Sequence, residues 1–346
     1  MTRFSKQVFG FALVALFCTS AAFAKEDAHE MISKSFQQAD PWTQGPVKLV
    51  ADVRLPQPSG DVNVTYSVSW ASPDKWRGEW SAQGLQDITV LNGGKLSNLT
   101  NQKGPIVWAI LFQNGLAILD GGNPAGPYNV PPVDLQKAKF DTSKKKIGNI
   151  DAHCVAWGQP AYTLCFDPAN SHLLTADVSF VTYEYGDYAT AGSTSYPQDV
   201  KVSFNKQLLA EGKVTITRGD KFADNLFTAP DKSTTVDYST CADVDKNYTA
   251  PHLDKTVTAK MPDAAKKEKK YGVVWVIADV GKNGSVEKAT VAGGDPELSP
   301  AATDAVQQYK FTPYTRCSQA VAFQKLELVP FAPPQQQQNQ GVSLGH

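Results

Sequence analysis

Cysteine is the residue type whose number and spacing point to definite chemistry in this chain. Of its five cysteines, Cys18 lies in an apolar leader, and Cys154, Cys165, Cys241 and Cys317 remain. An even number in an exported chain favours disulfides, and four cysteines can pair in three ways. Local geometry selects one of them. Cys154-Val155-Ala156-Trp157 and Tyr162-Thr163-Leu164-Cys165 flank Gly158-Gln159-Pro160-Ala161, so a hairpin closed by that loop sets Cys154 opposite Cys165. Opposed residues have Cβ atoms about 4.5–5.5 Å apart, near what a disulfide needs. Cys241 and Cys317 are then left for each other. On the chain-entropy model the short bridge contributes about 2.8 kcal/mol and the long one about 4.5 kcal/mol.

The remaining chemistry-bearing residues form no catalytic pattern. Gly-x-Ser-x-Gly, His-Glu-x-x-His and a phosphate-cradling glycine loop are absent from the sequence. Ser143 and Lys146 have the spacing of a serine–lysine pair but stand in the lysine-rich run Lys144-Lys145-Lys146, which reads as a solvated surface. His153 and His172 lie near Cys154 and Cys165, yet adjacent His153 and Cys154 point to opposite faces of one strand, which disfavours a shared zinc ion. No metal or other cofactor is expected, and the chain is read as non-enzymatic.

The first 24 residues supply the compartment. Arg3 and Lys6 precede an apolar run from Phe9 to Phe17, and Ala22-Phe23-Ala24 is a small-x-small site: a secretory signal cut after Ala24. Phe17 before Cys18 does not suit a lipoprotein signal. The mature chain is expected in the periplasm or outside the cell, and no later run approaches the ~20 apolar residues of a spanning helix. A leader retained as an anchor would change that reading. With 33 basic and 34 acidic residues the net charge is −1, and nothing suggests a nucleic-acid partner. Asn-x-Ser/Thr sequons at Asn63, Asn98, Asn247 and Asn283 matter only in a glycosylating host.

About 320 mature residues suit two domains. Residues 27–39 read as a helix, with Asp27 as cap, Met31, Ile32, Ser35 and Phe36 along one side, and Pro41 at its end. The period then becomes two: Leu49, Ala51, Val53 and Leu55 alternate with polar neighbours, as do Val62, Val64, Tyr66, Val68 and Trp70. Further strands are expected at Trp76–Trp80, Ile88–Leu91, Ile106–Phe112, Cys154–Trp157, Tyr162–Phe166, Leu173–Phe180, Val200–Phe204 and Val214–Ile216. Their spacing argues for one large antiparallel sheet, open or partly closed.

The last third is sharper. Val274, Val276, Ala278 and Val280 alternate toward Asn283-Gly284, a two-residue hairpin signal, and Val286 to Val291 return. Ser299 with Pro300 starts a helix whose stripe is Ala301, Ala302, Ala305, Val306 and Tyr309. Gln324-Lys325-Leu326-Glu327-Leu328-Val329-Pro330-Phe331 is the closing strand. The fold class is therefore mainly β plus α+β: an antiparallel unit over residues 25–230, a linker over 231–260, a small ββαβ unit over 261–331 and a polar Gln-rich tail, expected to be disordered, over 332–346.

Both units resemble known families. Ser72-Pro73-Asp74-Lys75-Trp76-Arg77, Cys165-Phe166-Asp167-Pro168, Tyr185-Gly186-Asp187-Tyr188, Tyr196-Pro197 and Phe222-Ala223-Asp224-Asn225-Leu226-Phe227, in this order after a leading helix, resemble the periplasmic lipoprotein carriers of the LolA, LolB and LppX type. That resemblance implies a curved half-barrel whose concave apolar face holds acyl chains. Trp70, Trp76, Trp80, Trp108 and Trp157 are then candidates to line the cavity, and a lipid or lipidated protein is the implied partner. The second unit resembles the TonB C-terminal domain. Pro262-Asp263-Ala264-Ala265 matches its Pro-x-x-Ala segment, with Met261 where tyrosine is usual; Tyr309-Lys310-Phe311-Thr312-Pro313 matches its aromatic-x-Phe-x-Pro element, and residues 324–331 its last strand. The resemblance implies docking of an outer-membrane or other envelope protein by strand addition at an exposed edge, for which Lys325, Leu326, Glu327, Leu328 and Val329 are the candidates. Energy transduction would need a membrane helix and a long proline-rich spacer, which the mature chain is not expected to carry; a retained leader would revive that alternative.

Overall fold

The structure is a computed structural model, and it describes residues 25–56, 60–82, 85–101, 106–121, 139–157, 162–178, 181–204, 206–219, 221–239, 248–249, 252–316 and 318–331. The leader, Cys241, Cys317 and the Gln-rich tail lie outside the described residues, and so does the pairing expected between those two cysteines.

Alternating apolar residues between Val47 and Arg218 build one large sheet. Its strands are β1 (Val47–Leu55), β2 (Val62–Ser72), β3 (Lys75–Ala82), β4 (Leu85–Asn92), β5 (Lys95–Asn101), β6 (Asp141–Ile147), β7 (Ile150–Trp157), β8 (Tyr162–Phe166), β9 (Leu173–Val178), β10 (Val181–Ala191), β11 (Thr194–Phe204), β12 (Gln207–Arg218) and β13 (Thr234–Asp237). They pair antiparallel in the order β13-β5-β4-β3-β2-β1-β12-β11-β10-β9-β8-β7-β6. The sheet is open, with β13 and β6 at its ends. Along β1, residues Val47, Leu49, Ala51, Val53 and Leu55 are buried while their neighbours are exposed or half-buried, so one face carries the core and the other faces water.

The lysine run read as a solvated surface falls on the end strand β6, where Lys144, Lys145 and Lys146 are exposed. Charged side chains on an end strand oppose further edge pairing. Within the span read as a linker, Thr234–Asp237 form β13 beside β5, and the Tyr238 N–H donates to the Gly94 carbonyl at 2.7 Å. Cys154 stands in register with Cys165, and the two are joined as a disulfide with a Cα separation of 4.0 Å.

Two helices lie on the core face. Helix α1 (Lys25–Ala39) buries Ala28, Met31, Ile32, Ser35 and Ala39. Helix α2 (Ile106–Leu119) corrects the strand expected at Ile106–Phe112. Its sequence IVWAILFQNGLAIL has only Gln113 and Asn114 as polar residues, and a run this long is a buried helix, since strands rarely exceed about 4–8 residues. Chain order also demands a crossing here, because β5 and β6 lie toward opposite ends of the sheet. None of the described helices is long and apolar enough to cross a membrane.

The second unit begins with β14 (Tyr248–Thr249) and β15 (Leu253–Lys255), followed by α3 (Asp263–Lys267), β16 (Gly272–Val280), β17 (Val286–Gly293) and α4 (Ser299–Val306). It continues with β18 (Lys310–Phe311), β19 (Thr315–Arg316), β20 (Gln319–Ala320) and β21 (Phe323–Phe331). The main sheet is β17-β16-β21, and α4 covers one face through Ala302, Ala305 and Val306. Two local readings are corrected. The hairpin after Val280 is not a two-residue turn: Gly281 donates to Ser285 at 2.9 Å and Gly284 to Gly281 at 2.8 Å, leaving residues 281–285 as the loop. Gly284 holds φ +79°, and a Cβ there would strike the Phe311 carbonyl, so only glycine fits. Ser299 is the first helical residue rather than the cap. The preceding Asp295 carbonyl accepts the N–H groups of Leu298 and Ser299, both at 3.1 Å.

Candidate functional site

Helix α2 lies across the face expected to hold a ligand. Phe112 of α2 is fully buried, and its ring sits over Gly212 of β12, where a Cβ would come within 2.6 Å of Phe112 Cζ. The converse holds one turn on. A Cβ on Gly115 would come within 2.7 Å of the Tyr183 ring, and the Tyr185 hydroxyl donates to the Gly115 carbonyl at 2.8 Å. Burial pushes the Tyr185 hydroxyl well above its ordinary titration range, so it stays a donor. Two glycines, one on each surface, thus let α2 approach the sheet closely. Its far end is held by Trp42 Nε1 donating to Asp120 Oδ2 at 2.7 Å. A cavity of about 20 Å³ lies among α1, α2, β1, β11 and β12, lined by Trp42, Leu49, Leu116, Leu119, Tyr196 and Ile216 among others. That is room for about one water.

The tryptophans proposed to line a cavity divide accordingly. Trp70 and Trp80 are buried core residues; Trp70 packs on Trp42, and Trp80 stacks on Tyr66 with centroids 4.4 Å apart and donates to Gln113 Oε1 at 3.2 Å. Trp76 and Trp157 are half-buried against the same core, and Trp157 stacks on Tyr162 at 5.5 Å. Trp108 falls in α2, but its side chain lies outside the described residues. On the opposite face a groove of about 520 Å³ runs over β2, β1, β12 and β11. Among its charges, Arg54 pairs with Glu211 at 2.6 Å and with neighbouring Asp61 at 2.7 Å, Lys213 pairs with Asp199 at 2.5 Å, and Asp52 accepts from the Thr65 hydroxyl at 3.0 Å.

The fold does bring one nucleophile and one base together. Ser195 Oγ and His172 Nε2 are 2.8 Å apart, a pair separated in sequence and missed for that reason. The imidazole stacks flat on Tyr188 with centroids 3.9 Å apart, and burial pulls its pKa down, opposed by nearby Asp167. Asp167 is already engaged in its own turn, accepting from the Ala169 N–H at 2.9 Å and Asn170 Nδ2 at 3.1 Å. Neither the groove nor the small cavity includes these residues. The contact ties the β8–β9 turn to β11.

Strand β21 is laid out differently. It pairs with β16 on one side in unbroken register from Gly272↔Phe331 to Val280↔Phe323 and is the last strand of its sheet. Among the described residues its main chain has no other backbone partner. Lys325 is exposed, Leu326, Glu327 and Leu328 are half-buried and Val329 is buried. Alternation puts Glu327 and Val329 on the α4 side, and Leu326 and Leu328 against the core of the large unit. Glu327 lies in a largely apolar setting near Tyr309. Burial pushes its carboxyl up to about 7, with Lys325 acting in the opposite direction.

Residues 258–331 match the family model described as Gram-negative bacterial TonB protein C-terminal. No curated protein matches the chain. Among solved structures, a putative outer membrane lipoprotein-sorting protein domain from Vibrio parahaemolyticus is similar at 9% identity and TM-score 0.39, over 59% of this chain and 97% of that one. A LolA superfamily protein from Nitrosomonas europaea is similar at 12% identity and TM-score 0.37, over 58% and 97%. A DUF1329 family protein from Desulfovibrio piger is similar at 8% identity and TM-score 0.41, over 59% and 96%.

Proposed function

We propose that this chain is a non-enzymatic docking protein of the bacterial envelope, which takes up an extended segment of another envelope protein along the free edge of β21. The observation that carries the reading is the position of β21: last in its sheet, with one side unpaired among the described residues, within the span that matches the TonB C-terminal model. An edge strand offers main-chain N–H and C=O groups to an incoming strand, with affinity from the main chain and selectivity from alternate side chains. Residues 1–24 act as a cleaved signal, placing the protein in the periplasm. The large unit then serves as the support on which the docking sheet rests. Deuterium exchange on the mature protein with short valine/threonine-rich peptides, neutral or carrying one charged residue, tests this. Slower exchange confined to β21 is the expected result; unchanged β21 amides at saturating peptide would overturn it.

A second reading, in which the large sheet holds a lipid or a lipidated partner, is favoured by α2. This helix is apolar around almost its whole circumference and occupies the face an acyl chain would take. A ligand there needs α2 to shift, since the cavity described beside its C-terminal half is about 20 Å³. Native mass spectrometry after lipid exposure reads it directly: an added mass supports the lipid role, and a bare protein mass counts against it.

A further inference from the structure

Glu327 is the central residue of β21, four positions from either end. It stands in register with fully buried Val276 on β16, on the side of the strand that faces α4, with Tyr309 close by. Among the described residues it makes no hydrogen bond and no ion pair. Lys325, on the same side of the strand, influences it only at longer range. A carboxylate that has lost much of its water without gaining a partner is costly wherever it occurs. On a docking edge it has a further consequence.

A strand laid against β21 places its own side chain about 4.5–5.5 Å from that of Glu327. It also removes the water still reaching the carboxylate. An apolar side chain in that position strands the charge, whereas a lysine or arginine gives it a charge-assisted hydrogen bond in surroundings of low dielectric. A second copy of β21 is excluded on the same ground. Antiparallel self-pairing centred on the strand puts Glu327 opposite Glu327, and like charges directly opposed repel.

Building on the docking role proposed above, we infer that Glu327 makes the β21 edge selective. It admits extended segments with a lysine or arginine opposite it and rejects apolar strands and further copies of the chain. The partner class is thus a β-prone segment with one basic residue set among small or β-branched ones.

The test uses the mature protein and three synthetic peptides of alternating valine and threonine whose single central guest is lysine, glutamine or glutamate. At about pH 8 the lysine peptide should bind about tenfold more tightly than the glutamine peptide, and the glutamate peptide weakest. In Glu327→Gln the three should converge, with the main-chain contribution retained. Equal binding of all three to the native protein, with β21 amides protected, would overturn the selectivity and leave the docking role standing. Failure of all three to bind either protein would overturn both. Concentration-dependent self-association of native protein through β21, seen by sedimentation, would also count against the inference.

Discussion

Phe204 at the end of β11 and Trp275 in β16 meet edge to face, with centroids 4.5 Å apart and ring planes at 75°. Both are buried, so the large and small sheets share one core. The face of the small sheet opposite α4 joins that core, with Val273, Ile277, Ala292, Leu326 and Leu328 packed beside Trp275. Strand β21 therefore rests on the large unit, and its stability is tied to that contact.

Trp275→Ala should destabilise the protein by about 3–5 kcal/mol, the usual cost of emptying a buried tryptophan site. It should also uncouple the units. Calorimetry of the native chain is expected to show one transition and the variant two, with the small unit melting first. An unchanged single transition would show that the ring contact contributes nothing to coupling.

The seat of α2 gives a paired prediction. Gly212→Ala places a methyl group where the Phe112 ring now sits, and Gly115→Ala places one against Tyr183; each overpacks the face and should cost about 1–3 kcal/mol. Gly212→Ala combined with Phe112→Ala should cost less than the sum of the two single changes, because the new methyl occupies space the ring has left. Urea unfolding of the four proteins in this cycle measures the coupling. Strict additivity would mean that the glycine is not what admits the ring.

These glycines also show how much was legible in the sequence. The strands with clean alternation, such as Leu49 to Leu55, the register that sets Cys154 opposite Cys165, and the strands β16 and β17 of the second unit follow from period two and turn residues, which are local signals. The apolar content of Ile106–Phe112 suggests a strand, but the apolar run continues to Leu119, a length that favours a helix. What no local pattern could give is the contact of Gly212 with Phe112, or of Ser195 with His172. Each joins residues that meet only once the sheet order is fixed, and that order puts β12 beside β1 although most of the unit lies between them in sequence. The strand β13 was hidden for the same reason: Thr234–Asp237 has little apolar content, and its place comes from the β5 edge it joins.

Glu327 makes the stability of the small unit depend on pH in the direction opposite to that of most carboxylates. Its ordinary value is 4.5, and in the folded protein burial pushes it up to about 7, so the fold prefers the protonated acid. This contribution is fully present below about pH 4.5 and is lost as pH rises through about 7, where the unfolded chain is already ionised and the folded one is forced to follow. The groups that face it do not reverse the sign: Lys325 only opposes the shift, and the Tyr309 hydroxyl is itself pushed up by burial and by Glu327. Glu327→Gln keeps the shape and removes the charge. The variant should therefore gain on the native protein progressively between about pH 4.5 and pH 7 and hold a constant advantage above that. Urea midpoints of both proteins across this range isolate the effect, because every other titrating group is common to the two. A difference that does not change with pH would mean that Glu327 is ionised and solvated throughout, and the selectivity proposed for the edge would lose its physical basis with it.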